Sequence, residues 1–347
     1  MKFPVFLFFF FVAFSIPAIG LNSPASSSSS GKSGEQKYPV STIPEDLKKN
    51  ADIVLREYNM NVEVKSLTSI VIKVHRVITI LRENGIEHAS LEIPYDQYSK
   101  VTSIHSVRYN ESGVETGHVK SSEIMDESAI PDGSFYTEDR VKRIKVIGLS
   151  YPFTIEYSYE LDLRKILHYP AWQPQDDYRV SIEHSEFTLT VGNDLMPRFR
   201  ESNIPQPAKI VHEKDMTSVT YTFDNLPAVE KELYSIPLEE RVPIVYIAPN
   251  DYRILGEDFD FRTWKSFGLW AYSLKKERDI LPDKTHKQLM NLLKDKSGNI
   301  DKIRTIYSFV QENTRYLAVL LGIGGWQPEE ARTVAEKGYG DCKGLVN

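Results

Sequence analysis

Phe153-Thr154-Ile155-Glu156-Tyr157-Ser158-Tyr159-Glu160-Leu161 alternates strictly, apolar side chains at the odd positions and polar ones at the even. Successive side chains of a strand point to opposite faces, so this period-two pattern predicts a half-buried β-strand. The pattern returns in Phe187, Leu189 and Val191, and again in Val219, Tyr221 and Phe223. Ile70, Ile72 and Val74 open a β-branched run that reaches Ile80. Strands of this kind bury one face against a second layer and wet the other, which predicts an antiparallel β-sandwich-like domain. Glu83-Asn84-Gly85, Glu111-Ser112-Gly113 and Gly192-Asn193-Asp194 supply the turns between them.

On the N-terminal side the pattern changes. Leu47, Ala51, Val54 and Leu55 recur at helical spacing and predict a short amphipathic helix within residues 44–58. Residues 21–37 form a Ser/Gly-rich linker by composition, with five consecutive serines from Ser26 to Ser30. Ahead of it, Lys2 precedes an apolar stretch over residues 3–19 that ends in Ala18-Ile19-Gly20. This predicts a signal peptide, residues 1–20, cleaved before Leu21; Pro4, Pro17 and the small residues favour cleavage over a retained anchor. The mature protein is then exported, periplasmic or extracellular, with no stable membrane span.

After Asp251 the period becomes helical. Trp264, Phe267, Ala271 and Leu274 mark one helix, and Pro282 opens a second with Leu289, Leu292 and Leu293 inward. Asn299 is the expected N-cap of a third, which carries Ile300, Ile303, Ile306, Tyr307 and Val310. A glycine-rich loop over residues 322–328 leads to a short helix that ends at Lys337-Gly338. The fold class expected is α+β, with a β-sandwich-like domain over residues 38–248 and a helical unit over 249–347.

Lys and Arg number 42 against 48 Asp and Glu, a formal charge of -6, which argues against a nucleic-acid partner. The single cysteine excludes an intrachain disulfide, a CxxC pair and a Cys-rich zinc site. Cys342 lies in Gly338-Tyr339-Gly340-Asp341-Cys342-Lys343-Gly344. Gly340-Asp341-Cys342 reads as the end of a turn and Lys343 as the start of a helix, which puts the thiol at the helix's positive end, where a thiolate nucleophile is stabilised, and Lys343 adds positive charge. The other reading of a lone cysteine is a buried structural one.

Arg315-Tyr316, Gly324-Gly325-Trp326-Gln327-Pro328 and Tyr339-Gly340-Asp341-Cys342-Lys343, in this order and spacing, resemble the transglutaminase-like family. The likeness is to exported bacterial proteins of the Bacteroidetes, in which a β-rich domain of unknown function precedes a papain-like core. The helix with Trp264 and Asn313-Thr314-Arg315-Tyr316 match the opening of that core, while Ala51-Asp52 and the strands to about residue 240 match the preceding domain. The resemblance implies that Cys342 attacks an amide or ester carbonyl, that a histidine moves the proton, and that an acid orients the histidine. It implies no cofactor, a peptide or protein substrate, and Trp326 or Gln327 as candidates for oxyanion support.

The family's His and Asp follow the Cys, whereas every histidine here (His75, His88, His105, His118, His168, His184, His212 and His286) precedes it. The sequence is therefore read as truncated just after the nucleophile motif, with an incomplete transglutaminase-like domain over residues 249–347 that is inactive alone. Relatives often carry Asp where this chain has Gly344, a change without chemical consequence on this reading. The alternative is a non-catalytic β-sandwich module that recognises a protein, peptide or glycan. Lesser candidates are an acidic stretch (Asp126, Glu127, Asp132, Glu138, Asp139) for calcium and Tyr169, Trp172 and Tyr178 as an aromatic platform. For the first a solvated loop is favoured, for the second a packed seam.

Overall fold

A computed structural model describes residues 36–129, 134–146, 150–164, 169–254, 256–320 and 322–347. The expected signal peptide, most of the linker, Asp132 and His168 lie outside the described residues. The chain enters through one helical turn, α1 (Glu45–Lys48), then β1 (Ile53–Ser66), β2 (Ser69–Ile80), β3 (Leu91–Tyr95) and β4 (Ser99–Tyr109). Four short strands follow: β5 (Glu115–His118), β6 (Met125–Ser128), β7 (Ser134–Thr137) and β8 (Arg140–Ile144). Next come β9 (Phe153–Arg164), β10 (Val180–Gly192), β11 (Arg198–Ser202), β12 (Lys209–His212), β13 (Met216–Leu226) and β14 (Ile244–Ala248).

Eight of these strands form one sheet in the order β12-β13-β10-β1-β2-β9-β4-β5. Its neighbours are antiparallel except β1 and β10, which run parallel. Register explains the alternation: Ile80 faces Phe153 and Ile78 faces Ile155, all buried on one side. On β1 the inward set shifts from Ile53 and Leu55 to Met60, Val62 and Val64, because a bulge between Leu55 and Glu57 inserts one residue against β2. The main apolar face that results has two centres.

One centre, around Ile53, Leu55, Ile80, Phe153 and Ile155, is covered by the three-stranded sheet β3-β8-β6 through Leu91, Ile93 and Ile144. The other, around Val62, Ile72, Leu189 and Tyr221, is covered by the β11-β14 pair through Phe199 and Ile247, and by Trp172. The fold is therefore α+β with a large, mostly antiparallel sheet, and the second layer expected of a sandwich is divided between two small sheets. Trp172 is bridged to Val245 by reciprocal backbone hydrogen bonds of 2.9 Å, and with Tyr169 it is buried in this seam. Two members of the aromatic platform considered above are thus interior, while Tyr178 is half-buried against a separate cluster around Leu238.

The amphipathic helix expected over residues 44–58 is corrected. Only Glu45–Lys48 is helical; Asn50 takes a left-handed φ of 59°, and β1 begins at Ile53. Ile53 and Leu55 are paired on both sides, to β2 and to β10, and two ladders outweigh one exposed helix. Leu47 and Val54 do share an apolar cluster with Val40 and Ile43, so the spacing reported common burial without a common helix.

Beyond Ala248 the hairpin β15 (Asp251–Ile254) and β16 (Glu257–Asp260) leads to α2 (Trp264–Lys275), α3 (Asp283–Leu293) and α4 (Asn299–Asn313). Thr263 caps α2 by accepting from the Ser266 N–H at 3.0 Å. Of the expected face Leu274 is buried and Phe267 half-buried, while Ala271 is exposed and Trp264 is 86% exposed; Trp270, one turn before Leu274, is the other buried residue. The cap of α4 is Gly298, one residue before the Asn299 expected. The inward faces expected for α3 and α4 are also corrected: neither helix has a buried residue, and Ile303 and Tyr307 are 62% and 63% exposed. Among the described residues no helix is long and apolar enough to cross a membrane.

Candidate active site around Cys342

The last segment comprises β17 (Arg315–Tyr316), β18 (Ala318–Leu320), α5 (Ala331–Lys337), β19 (Tyr339–Gly340) and α6 (Cys342–Val346). Gly338 ends α5 in the left-handed region, at φ 71°, which favours glycine. The turn sends Tyr339-Gly340 alongside Arg315-Tyr316 as a parallel pair, fixed by Arg315 N–H to Gly338 O at 2.9 Å and Leu317 N–H to Gly340 O at 3.0 Å. Two motifs separated by some twenty residues are joined here.

Asp341 is the N-cap of α6, its Oδ1 accepting from the Gly344 N–H at 2.8 Å, so Cys342 is the helix's first residue and is exposed. The buried structural cysteine is thereby set aside. Lys343, expected to lend its charge to the thiol, instead pairs its Nζ with Asp341 Oδ2. The carboxylate of the cap is the nearer counter-charge, and a cation held there does little for a neighbour.

Gly344 has a packing role that the sequence did not disclose. A Cβ there would meet Glu329 Cβ and Val334 Cγ2 at 3.3 Å, and one on Gly340 would meet Val334 Cγ2 at 3.1 Å. The two glycines let α6 press against α5 and the residue just after the Gly-Trp-Gln-Pro loop. That loop is closed by Trp326 and Gln327 N–H bonds to Ile323 O at 2.9 and 2.8 Å. It is tied to the chain after α2 by Arg278, whose Nη1 donates to Pro328 O at 3.2 Å and whose carbonyl accepts from Ala331 N–H at 2.7 Å. Asp341 was legible as an Asp before a helix start; Arg278 was not, because some fifty residues separate it from its partner. The Trp326 ring packs 5.5 Å from that of Trp270, as an anchor of the loop.

Four of the described histidines have partners in the β-domain. His75 Nε2 lies 2.9 Å from Glu156 Oε1, His184 Nδ1 2.6 Å from Asp224 Oδ1, and His212 Nδ1 3.0 Å from the Thr217 hydroxyl. His88 lies 3.6 Å from Asp177, and its burial lowers its pKa. None of the described histidines hydrogen-bonds to Cys342. In the acidic stretch, Asp126 accepts from the Tyr95 hydroxyl and pairs with Arg140 and Lys142, which hold its carboxyl down to about 2, while Glu127 pairs with Arg143. These carboxylates are matched by cations of β8. Among the described residues no group of three or more His, Cys, Asp or Glu is arranged to hold a metal ion.

Residues 68–230 match the family model of a domain of unknown function with a solved structure, DUF3857. The matched segment runs from the β1–β2 turn to just beyond β13, hence most of the large sheet. The fold is similar to the crystal structure of a "putative protease" from Parabacteroides distasonis, a member of the Bacteroidetes, at a TM-score of 0.63 and 15% identity. That likeness covers 85% of this chain and 57% of the other, so this chain spans little more than half of the relative's length. Likenesses to an aminopeptidase A of Legionella pneumophila and to a two-domain M1 zinc metallopeptidase have TM-scores of 0.30 and 0.27, too low to bear on the fold. The first has 14% identity and covers 63% of this chain and 23% of the other; the second has 10%, 60% and 46%. No curated protein matches the sequence.

Proposed function

We propose that the chain is the N-terminal part of an exported transglutaminase-like cysteine peptidase or amidase, with Cys342 as nucleophile. One observation carries this reading: the fold assembles Arg315-Tyr316, the residue after the Gly-Trp-Gln-Pro loop and Tyr339–Lys343 around an exposed thiol at a helix start. The similarity of fold to the Parabacteroides protein supports a peptidase class.

In this reading the Cys342 thiolate attacks a peptide-type carbonyl and the amine leaves with a proton delivered by a histidine. A general base contributes about 10²–10⁴-fold, and the members of a catalytic triad act as a unit. No described histidine hydrogen-bonds to Cys342, so on this reading the base comes from outside the described residues. Hydrolysis is preferred to cross-linking because water is its only acceptor.

The test is acylation by an activated peptide ester, followed by mass spectrometry. Cys342 is expected to gain one acyl group at least about tenfold faster than N-acetylcysteine under the same conditions. A rate equal to that of the free thiol, or turnover that persists in Cys342→Ala, overturns the proposal.

A further inference from the structure

The strongest unassigned feature is a cavity of about 430 Å³ beside the N-terminus of α2. Its volume lies in the range of small-molecule sites. Its walls are aromatic: Tyr252 and Phe261 stack at 4.4 Å, Phe261 lies 5.0 Å from Trp270, and Trp326 adds a further indole. Trp264, almost wholly exposed, stands at its edge. An aromatic side chain left in water at a cavity mouth offers stacking surface that the fold itself does not use.

The polar groups of the lining are overwhelmingly donors. Arg262 is matched by Asp251 at 2.6 Å and Asp260 at 3.3 Å. Arg198 has no ion pair among the described residues; its Nη2 only reaches Pro249 O at 3.4 Å, so one guanidinium charge is uncompensated at the cavity. Trp270, which is 3% exposed, carries an indole N–H that finds no acceptor. Flat apolar walls and an unmatched cation describe a complementary ligand.

We infer that this cavity binds an aromatic carboxylate, its ring against the exposed indole of Trp264 and its carboxylate on Arg198. A peptide ending in an aromatic residue and a free aromatic acid share this chemistry. The inference does not depend on the role of Cys342.

Calorimetric titration of the Cys342→Ala chain with N-acetyl-phenylalanine, its neutral amide and phenylacetate tests it. Saturable binding of N-acetyl-phenylalanine is expected, with the amide at least about tenfold weaker. Phenylacetate binding as tightly assigns the site to free acids, and binding more than about tenfold weaker assigns it to peptide ends; both support the inference. Arg198→Gln is expected to erase the preference for acid over amide, and Trp264→Ala, which removes the exposed stacking surface, to weaken binding severalfold, with circular dichroism reporting that both variants remain folded. Absence of saturable binding by either acid, or an amide that binds as well as the acid, overturns the inference.

Discussion

Glu156 lies on the polar side of the strand whose alternation decided the fold, yet it is the hub of a network. The Tyr109 hydroxyl donates to it at 2.6 Å, Lys37 Nζ at 2.8 Å and His75 Nε2 at 2.9 Å. The His75 hydrogen bond first, then those from Lys37 and Tyr109, hold its carboxyl down to about 2 from an ordinary 4.5, against the opposing effect of burial. A carboxylate whose folded value is depressed stabilises the native state fully above its unfolded value, and the contribution fades as pH falls through the folded one. Glu156→Gln is therefore expected to cost about 2 kcal/mol near neutral pH, with the gap to the parent closing between about pH 4.5 and pH 2. Urea unfolding across that range measures it, and a gap independent of pH would count against the network.

At the scale of elements, α2 and α4 look alike in sequence and differ in packing. Leu274 of α2 is buried with Trp270, Tyr252 and Ile254, whereas Ile303 of α4 is open to water. Leu274→Ala is expected to destabilise by about 2–4 kcal/mol, and Ile303→Glu to change stability by less than about 0.5 kcal/mol. Equal losses in chemical denaturation would show that α4 is enclosed after all. This contrast marks how far the sequence could be read. Apolar periodicity reveals that a helix has a face, so α2, α3 and α4 were found, but it does not name what the face packs on. The strands of the large sheet were legible because alternation is local; the bulge in β1 and its parallel pairing with β10 are long-range and left no local mark. Gly85 read as a turn residue, while its need for glycine comes from Ile53, whose Cγ2 a Cβ would meet at 2.5 Å. At the site, Asp341 and Cys342 could be placed on a helix start from their neighbours. The capture of Lys343 by Asp341 required a side-chain geometry that spacing does not contain.

For the molecule as a whole, the cores are distributed along the chain without interleaving. The two clusters under the large sheet, the cluster around Leu47 and the one around Leu238 draw their buried residues from Val40 to Ile247. The aromatic cluster of Tyr252, Ile254, Trp270 and Leu274 draws its own from beyond that point. Across the divide, β18 pairs with β7, a three-residue ladder set against ten or more paired positions between β1 and each of its neighbours. A unit with its own core folds alone when little of that core is borrowed. A fragment of residues 36–248 is therefore expected to unfold in one cooperative transition, because every large side chain in its two main clusters keeps its partners. Fluorescence from Trp172, its only tryptophan and a fully buried one, would report the loss of the seam. Far-ultraviolet dichroism would report the loss of the sheet, and the two curves should coincide. Separate midpoints, or a broad melt without a baseline, would show that the helical part stabilises the sheet. The boundary near residue 248 would then be a feature of the sequence with no counterpart in folding.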